Sequence, residues 1–568
     1  MAKKDYSNHT KDQLLEVIEK LEGKKKYGLV WDEERVPEKV VTDCQDKLPV
    51  LTEVKGKEII TDEIEPTHIL IEGDNYHALS VLNYTHKGKV DFVYIDPPYN
   101  TGARDWRYNN DYVDDTDTFR HSKWLQFMKN RLELAKNILA DDGVICVTID
   151  DYEMPRLWLL MEEVFGYDNH LGSVAIRNNP KGRMTKRKFS LVHEYGIFFG
   201  KTSSSYIKKL PEAPEDKTHN YKKDENGDWY LPVNLRKQGV DSNAVNKNGK
   251  LLDRYYPIYF DPKTGKVSAV EKLEVEILPI DSKKIQRIWR RSKDVIDEMY
   301  SKGGIWVNKT KDGHQVYFKF TGGLDGKLAQ SMWVDPQCSA SDYGTKILDT
   351  ILGEREKFQY PKAPFAVKHS ILCATDKKNA IIVDFFAGSG TTGQAVLELN
   401  KEDNGTRKFI ICTNNENNIA EEVTYKRVKN VITGYSDEVG IPANLKYYKT
   451  TFVTNNRNKD QLRIDITKRC TEMICLKEGI YNLLKEETDY KIFKQGDKYL
   501  AVYYDFANIS LDKLKEEMNK LSGQKVLYCF TVDTNGLKKE NFRDWKDIRL
   551  EPIPHKILDV YKRIFKKK

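Results

Sequence analysis

Two loops, far apart in the chain, each follow a short apolar run of the kind that forms a buried β-strand. The first loop is DPPY at 96–99, after the run at 90–95, and the second is FAGSG at 386–390, after the run at 381–385. Runs of this length that are rich in β-branched and aromatic residues favour strands. Ligands bind at the carboxyl ends of the strands in an open α/β sheet. We therefore expect both loops to lie at the binding edge of one sheet.

The segments around both loops alternate between strand-like and helix-like patterns, which is typical of an α/β fold with a mostly parallel sheet. The predicted strands are 68–72, 90–95, 143–149, 381–385 and 408–412. The predicted helices are at about 78–83, 124–139, 154–165 and 394–399.

Changes in texture divide the 568 residues into five predicted segments. They are a helical lead-in (1–65), an α/β half with DPPY (66–205), a turn-rich polar insertion (206–340), an α/β half with FAGSG (341–435) and a C-terminal α+β domain (436–568). Thr10 and Gln13 have the spacing of a capping box at the start of the lead-in helix. The C-terminal domain has none of the catalytic motifs, which favours a role in association.

Composition restricts the class of protein. Hydrophobic residues make up 39% of the chain, which is enough for buried cores, and the net charge is only +7. The eight cysteines have no CxxC or His/Cys spacing, which predicts reduced, buried thiols and no metal site. The charged N-terminus lacks an apolar signal-like run, and no apolar run approaches the roughly 18 residues of a membrane span. These features predict a cytoplasmic protein.

The glycine loop is suited to a nucleotide-like cofactor. Gly388, Gly390 and Gly393 also satisfy GxGxxG between a predicted strand and a predicted helix. Glycines are needed where a cofactor lies against backbone that a Cβ would block. Glu416, after the next strand, is placed to accept hydrogen bonds from a ribose. This pattern alone does not separate NAD from S-adenosylmethionine. Asp384 is either a ligand of the cofactor's amino group or a buried, hydrogen-bonded carboxylate.

The DPPY loop has the groups that methyl transfer to an exocyclic amine requires. The lone pair of such an amine is delocalised into the base, so an enzyme must draw the nitrogen towards sp3 geometry. Asp96 and the carbonyl of Pro97 can accept its two N–H groups, and these bonds strengthen as positive charge develops on the nitrogen. Pro97 and Pro98 stiffen the loop. Tyr99 offers a ring on which a flipped-out base can stack.

The order of these features, with DPPY first, an insertion next and the glycine loop last, resembles that of the β group of amino-DNA methyltransferases. The resemblance extends to the modification (Mod) subunits of type III restriction–modification systems, through short motifs at 73–75, 100–102, 148–151, 179–180 and 413–417. It covers about 66–205 and 360–435. It implies a circularly permuted, Rossmann-like methyltransferase sheet that uses S-adenosyl-L-methionine.

The resemblance also implies a reaction and a set of site residues. The reaction is N6 methylation of a flipped-out adenine in double-stranded DNA, since Asp in the first position of DPPY is more typical of adenine enzymes than of cytosine enzymes. The implied catalytic residues are Asp96, Pro97, Pro98 and Tyr99. The implied cofactor residues are Phe365, Asp384, Phe386, Ala387, Gly388, Gly390, Thr391 and Glu416. The implied substrate residues are Asp74, Asn100, Arg183, Lys186 and Arg187.

Some of these assignments have alternatives. Asp74 is placed equally well to cap a helix that starts near Tyr76. Phe365 follows Tyr-Pro-Lys at 360–362, but Pro364 comes a residue later than the family pattern. Arg183, Lys186 and Arg187 belong to the basic run at 177–209, which is either a solvated face or a phosphate contact.

Alternatives for the whole protein are a cytosine-N4 methyltransferase and a solitary or non-catalytic DNA-binding relative. A nicotinamide dehydrogenase would leave DPPY without a function. The resemblance to type III Mod subunits implies a homodimer that joins a separate helicase–nuclease. This chain itself has no GxxxxGK[ST] loop and no recognisable nuclease motif. A solitary enzyme has the same domains. The insertion at 206–340 is predicted to select the DNA sequence, because its base contacts can vary without disturbing the sheet.

Overall fold

The computed structural model describes residues 10–15, 38–109, 111–182, 189–210, 222–225, 229–245, 249–311, 313–320, 327–455, 458–505, 511–531, 537 and 542–565. The α-helices named in these ranges are α1 (Lys39–Asp43), α2 (Asn75–Thr85), α3 (Arg120–Ile138), α4 (Met154–Phe165), α5 (Ile296–Ser301), α6 (Lys346–Leu352), α7 (Pro364–Ala374), α8 (Thr391–Asp403), α9 (Lys426–Thr433), α10 (Lys459–Arg469), α11 (Thr471–Glu478), α12 (Leu511–Lys520) and α13 (His555–Phe565).

The first group of strands precedes the insertion and comprises β1 (Lys47–Glu53), β2 (Thr67–Glu72), β3 (Val90–Ile95), β4 (Ala103–Tyr108), β5 (Asp111–Asp114), β6 (Leu139–Ile149), β7 (His170–Ile176) and β8 (Glu194–Gly200). The second group is β9 (Lys209–Leu210), β10 (Lys222–Lys223), β11 (Trp229–Asn234), β12 (Ile258–Phe260), β13 (Val267–Ser268), β14 (Val275–Ile277), β15 (Ile305–Thr310), β16 (Gly313–Phe320) and β17 (Lys327–Leu328). The third group is β18 (Met332–Trp333), β19 (Ile381–Asp384), β20 (Lys408–Thr413), β21 (Asn444–Thr454), β22 (Asn482–Glu486), β23 (Tyr490–Gln495), β24 (Lys498–Tyr503), β25 (Gln524–Phe530) and β26 (Ile548–Ile553).

The large sheet is a permuted α/β sheet. Its spatial order within the described residues is β1-β21-β2-β20-β19-β3-β6-β8-β7-β18. Neighbours from β21 to β6 run parallel, and β8 is antiparallel to both β6 and β7. The late strands β19 and β20 therefore lie between the early strands β2 and β3. This arrangement confirms the circularly permuted, Rossmann-like fold class.

The register places the two predicted loops side by side. Ile382 and Val383 of β19 are paired in parallel with Phe92 and Val93 of β3. Because the strands are adjacent and run in the same direction, the loops after Asp384 and Ile95 leave the same edge of the sheet. The expectation that both loops share one sheet edge is confirmed.

Helices cover both faces of this sheet. Val93 and Ile95 belong to a core cluster that includes residues of α2, α3 and α4. The alternate residues Phe92 and Tyr94 are also buried, on the face where α7 contacts β3. Strands that are buried on both faces need near-continuous apolar runs, which is why β3 and β6 were recognisable from sequence.

Residues 209–329 form a separate compact unit. Its described strands make a four-stranded sheet (β10-β11-β16-β15), a three-stranded sheet (β13-β12-β14) and the pair β17-β9. Trp289 and Tyr256 are core residues of this unit, and the Trp289 indole donates a 2.7 Å hydrogen bond to the Tyr256 carbonyl. These two aromatic side chains therefore belong to the hydrophobic core of the unit.

The separate C-terminal sheet begins after β21, one strand later than the sequence pattern predicts. β21, within the predicted 436–568 segment, is paired with β1 and β2 in the large sheet. The C-terminal sheet itself is β22-β23-β24-β25-β26. The buried Tyr561 hydroxyl of α13 donates to the carbonyl of Pro49 in β1. The C-terminal helix is thus packed against the α/β region and does not form a separate compact unit.

Three smaller observations concern the expectations from composition and from the N-terminus. The Thr10 amide donates to Gln13 Oε1 at 2.9 Å and the Gln13 amide donates to Thr10 Oγ1 at 3.3 Å, so the capping box is formed. All eight cysteines are buried and unbridged. In the described part of the chain, no helix is both long enough and apolar enough to span a membrane.

Candidate active site

The glycine loop after β19 has a backbone that requires glycine. Gly388 and Gly390 have φ of +48° and +80°, in the left-handed region that L side chains rarely adopt. A Cβ at Gly388 would lie 3.1 Å from the Phe358 ring, and one at Gly390 would lie 3.1 Å from Thr424 Cγ2. The Ala387 amide donates to the Cys412 carbonyl at 3.1 Å, which ties the loop to β20.

Asp384 lies beneath this loop. Its Oδ1 accepts from the Phe386 amide at 2.9 Å, and its Oδ2 accepts from the Thr392 hydroxyl at 2.6 Å. Burial raises the pKa of Asp384 to about 7. The carboxyl is only 3% exposed, and its hydrogen bonds join the two ends of the loop. Its placement matches the second sequence interpretation, a buried and hydrogen-bonded carboxylate.

Thr391, the first residue of α8, also supports the loop. Its hydroxyl accepts a 2.8 Å hydrogen bond from the Arg427 guanidinium, which also donates to Ser389 Oγ at 2.9 Å. Arg427 is fully buried, and burial lowers its pKa to about 10. The Thr391 side chain is therefore bonded within the protein.

A cavity of about 710 Å3 lies against the two loops and the β4–β5 hairpin. This volume is within the range of small-molecule and cofactor sites. Six of the predicted site residues line it, namely Asp74, Asp96, Pro98, Phe386, Gly388 and Glu416. Phe365 is not one of its lining residues. The Phe365 ring stacks on His369, with centroids 5.8 Å apart, and Phe358 lines the cavity near the glycine loop.

Glu416 contacts the β4–β5 hairpin across the cavity. Its Oε1 is 3.0 Å from Arg107 Nη2 and 3.2 Å from the Tyr112 hydroxyl. The Arg107 guanidinium also lies over the Tyr112 ring, 4.2 Å from its centroid. The hairpin therefore brings two polar side chains to the carboxylate that the sequence assigns to a ribose.

The cavity fits an adenosine-containing cofactor such as S-adenosyl-L-methionine. The left-handed glycines leave a stretch of backbone without Cβ atoms. Glu416 would offer its carboxylate to ribose hydroxyls, and Phe386 would form an aromatic wall.

In the DPPY loop, Asp96 is held by three donors on one oxygen. Asp96 Oδ1 accepts from the Tyr99 hydroxyl at 2.8 Å and from the Thr148 hydroxyl at 2.7 Å. The Lys362 ammonium is 3.1 Å from the same atom. Pro97 is buried, and the Pro98 carbonyl accepts from the Trp124 indole at 2.7 Å. The loop is consequently rigid at both of its ends.

Tyr99 is half-buried, and its hydroxyl lies among charged groups. It is 3.0 Å from Glu194 Oε2 as well as close to Asp96, and Lys362 donates to it. Burial and these two carboxylates raise the pKa of Tyr99 well above its usual value. The hydroxyl stays protonated and anchors the ring. Stacking of a base on this ring remains a prediction.

Asn100 and Asp74 are bonded within the protein. Asn100 has φ of +55°, is fully buried, and donates from Nδ2 to Glu153 Oε1 at 2.5 Å. Its Oδ1 accepts from the Trp106 indole at 3.0 Å. Asp74 is the N-cap of α2 and accepts from the Tyr76 amide at 2.7 Å. Asp74 therefore caps α2, and it also lines the cavity.

The remaining substrate residues, Arg183, Lys186 and Arg187, lie outside the described residues. The sequence reading missed Lys362, Glu194 and Thr148 as part of the site. Lys362 belongs to the Tyr-Pro-Lys motif just before Phe365, which the resemblance links to the cofactor, yet its ammonium contacts Asp96 and Glu194. The only signal in the sequence was that Lys362 and Glu194 each have apolar neighbours. Because they are far apart in the chain, no local pattern indicates that they form an ion pair.

Comparisons with known proteins agree with this geometry. The family model N6_N4_Mtase, described as DNA methylase, matches residues 90–425, which is more than half of the chain. The type II methyltransferase M.KpnI of Klebsiella pneumoniae is 34% identical over 357 residues, which cover 62% of this chain and 82% of that protein. The EcoPI Mod subunit of Escherichia phage P1, a type III restriction–modification enzyme, is 29% identical over 443 residues. That alignment covers 71% of this chain and 66% of the Mod subunit.

Among solved structures, the M1.HpyAVI–SAM complex aligns with a TM-score of 0.28 and 13% identity, over 64% of this chain and 98% of that one. The family match includes both the DPPY loop and the glycine loop. With these two loops adjacent on a permuted sheet, the chain belongs to the N6_N4_Mtase family of DNA methylases and uses S-adenosyl-L-methionine as its methyl donor.

Proposed function

We propose that this protein is a sequence-specific DNA methyltransferase that methylates N6 of a flipped-out adenine. The observation that carries the proposal is the position of Asp96, which lines the cofactor cavity with its Oδ1 held by three protein donors. An oriented carboxylate beside a methyl-donor site is the group that an exocyclic amine needs. Aspartate at this position of the loop supports adenine over cytosine.

The residues of the DPPY loop have distinct tasks in this reaction. S-adenosyl-L-methionine supplies a methyl group bonded to a positively charged sulfur. Asp96 accepts one N–H of the target amine and the Pro97 carbonyl accepts the other, which directs the nitrogen lone pair towards the cofactor. Both bonds strengthen as the nitrogen gains positive charge, so they favour the transition state. The Tyr99 ring holds the base by stacking.

The test is the substitution Asp96→Ala, with the exposed Asp141→Ala as a matched control. We expect Asp96→Ala to abolish methyl transfer to DNA, with cofactor affinity close to that of the wild type, because the lost group acts on the amine. Asp141→Ala should remain active. Mass spectrometry of nucleosides from DNA treated with the wild type should reveal N6-methyladenine. N4-methylcytosine would support the alternative reaction. Robust methylation by Asp96→Ala would contradict the proposal.

We also propose that the 206–340 insertion selects the DNA sequence. Its central part, 209–329, is a compact unit with its own core, so its surface can change without affecting the catalytic sheet. Base edges in the major groove then determine which site is methylated.

For partners, we propose double-stranded DNA, a second copy of this chain and, as in a type III system, a separate helicase–nuclease. The similarity to a Mod subunit supports this view, and the similarity to a type II methyltransferase supports a solitary enzyme. The predicted lead-in helix and the C-terminal domain are the segments that we propose for association. Light scattering at micromolar concentration distinguishes a dimer from a monomer. A cytoplasmic location fits a DNA substrate and unbridged thiols.

A further inference from the structure

A buried ion cluster lies directly behind the DPPY loop. The Lys362 ammonium is 3.1 Å from Asp96 Oδ1 and 2.5 Å from Glu194 Oε2, and it also donates to the Tyr99 hydroxyl. An ammonium has three protons, and here it has three acceptors. The Lys362 and Glu194 side chains are 12% and 3% exposed. A pair so deeply buried is costly to form unless its geometry is well satisfied.

The two oxygens of Asp96 have different surroundings. Within the described part of the chain, the three side-chain donors Tyr99, Thr148 and Lys362 all reach Oδ1. Three donors on one oxygen fix the rotation of the carboxylate about its Cβ–Cγ bond. Asp96 also lines the cofactor cavity, so Oδ2 is the oxygen available to the target amine.

The cluster of Lys362, Asp96 and Glu194 has one excess negative charge. Burial lowers the pKa of Lys362, but the attraction of Asp96 and Glu194 outweighs burial and raises it overall, so the lysine is charged. Two carboxylates and one ammonium leave a net charge of −1 next to the reacting nitrogen. Asn178 Nδ2 donates a 2.6 Å hydrogen bond to Glu194 Oε2 and so helps to hold this carboxylate in place.

We propose that Lys362 and Glu194 are positioning residues for methyl transfer, which fix Asp96 so that Oδ2 faces the target amine and keep the cluster at one net negative charge. The inference rests on the proposed function, since Asp96 is the group that holds the amine. Without Lys362, two like-charged carboxylates share a buried site with no counter-ion, and their repulsion disturbs the position of Asp96. Without the charge of Glu194, Lys362 cancels the charge of Asp96, which weakens its attraction for a nitrogen that becomes positive.

The test compares Lys362→Met, Glu194→Gln and the double variant with Lys368→Met as control. Lys368 is on α7, in the same segment, and pairs with Glu398 and Glu402, away from Asp96. Methyl transfer from labelled S-adenosyl-L-methionine to unmethylated genomic DNA gives kcat and KM, and calorimetry gives the cofactor Kd. Lys362→Met should lower kcat by about 100-fold, the size of effect seen when one oriented donor is removed from a site of this kind. The cofactor Kd should hardly change, because Lys362 does not line the cavity.

The double variant distinguishes positioning from simple structural support. It restores the net charge of −1, so we expect it to be about 10-fold faster than Lys362→Met, a coupling typical of residues in direct contact. A double variant no faster than Lys362→Met, or a Lys362→Met variant that loses cofactor binding, would overturn the inference. If Lys362→Met does not fold, the nearly isosteric Glu194→Gln decides, since unchanged kcat would also overturn it. A wild type that methylates no DNA would instead contradict the proposed function.

Discussion

At the scale of single residues, Asp384 connects the glycine loop to the pH dependence of stability. The carboxyl is buried, accepts from Thr392 and from the Phe386 amide, and has its pKa raised to about 7 by burial. In the unfolded chain the same group titrates near 3.8. Because the folded-state pKa is the higher one, this residue stabilises the fold below about pH 4, and that contribution is lost as the pH rises to 7.

We therefore predict that Asp384→Asn changes the pH profile of unfolding. Asparagine does not titrate, so the free energy of unfolding of the wild type, relative to that of the variant, should fall by up to about 4 kcal/mol between pH 4 and 8, at about 1.4 kcal/mol per pKa unit. Urea denaturation at several pH values measures this difference, and the exposed Asp141→Asn is the control. A difference independent of pH would show that Asp384 is ionised throughout.

At the scale of secondary-structure elements, the β4–β5 hairpin and the turn after β20 meet at Glu416. Arg107 and Tyr112 contact the carboxylate from the hairpin. The Arg107 and Glu416 side chains are 42% and 34% exposed, so solvent screens this ion pair and it contributes little to stability. Replacing the hairpin contact of Glu416 by a hydrogen bond to a cofactor would therefore cost little free energy.

We predict that Glu416→Gln weakens binding of S-adenosyl-L-methionine by about 10- to 100-fold, since hydrogen bonds to a charged acceptor are worth roughly 1.5–3 kcal/mol. Calorimetric titration gives the Kd. Arg107→Met is the control, because it removes the charged protein partner of Glu416 and leaves the carboxylate for the cofactor. Wild-type affinity in Glu416→Gln would remove Glu416 from the cofactor site.

At the scale of the whole molecule, we predict that the compact unit 209–329 selects the DNA sequence and that the other unit carries out the chemistry. Replacing 209–329 by the matching segment of a relative with another specificity should move the methylated site, because the catalytic sheet and its cavity lie in the other unit. Methylation-aware sequencing of plasmid DNA shows the site, and the cofactor Kd of the chimera should match that of the wild type. A chimera that binds cofactor normally and methylates the original site would refute this role.

Local sequence was enough to predict the five strands around the two loops and the position of each loop at a strand end, because apolar runs, glycine-rich turns and a proline-stiffened DPPY turn are local features. β3 and α4 have the same bounds in the structure as in the sequence prediction. Only the tertiary structure brought Lys362 and Glu194 to Asp96, placed Arg107 on Glu416 and put Phe358 over the glycine loop. It also placed β21 in the large sheet. These contacts join segments that are distant in the chain, and strand order and register decide them, which local periodicity does not encode.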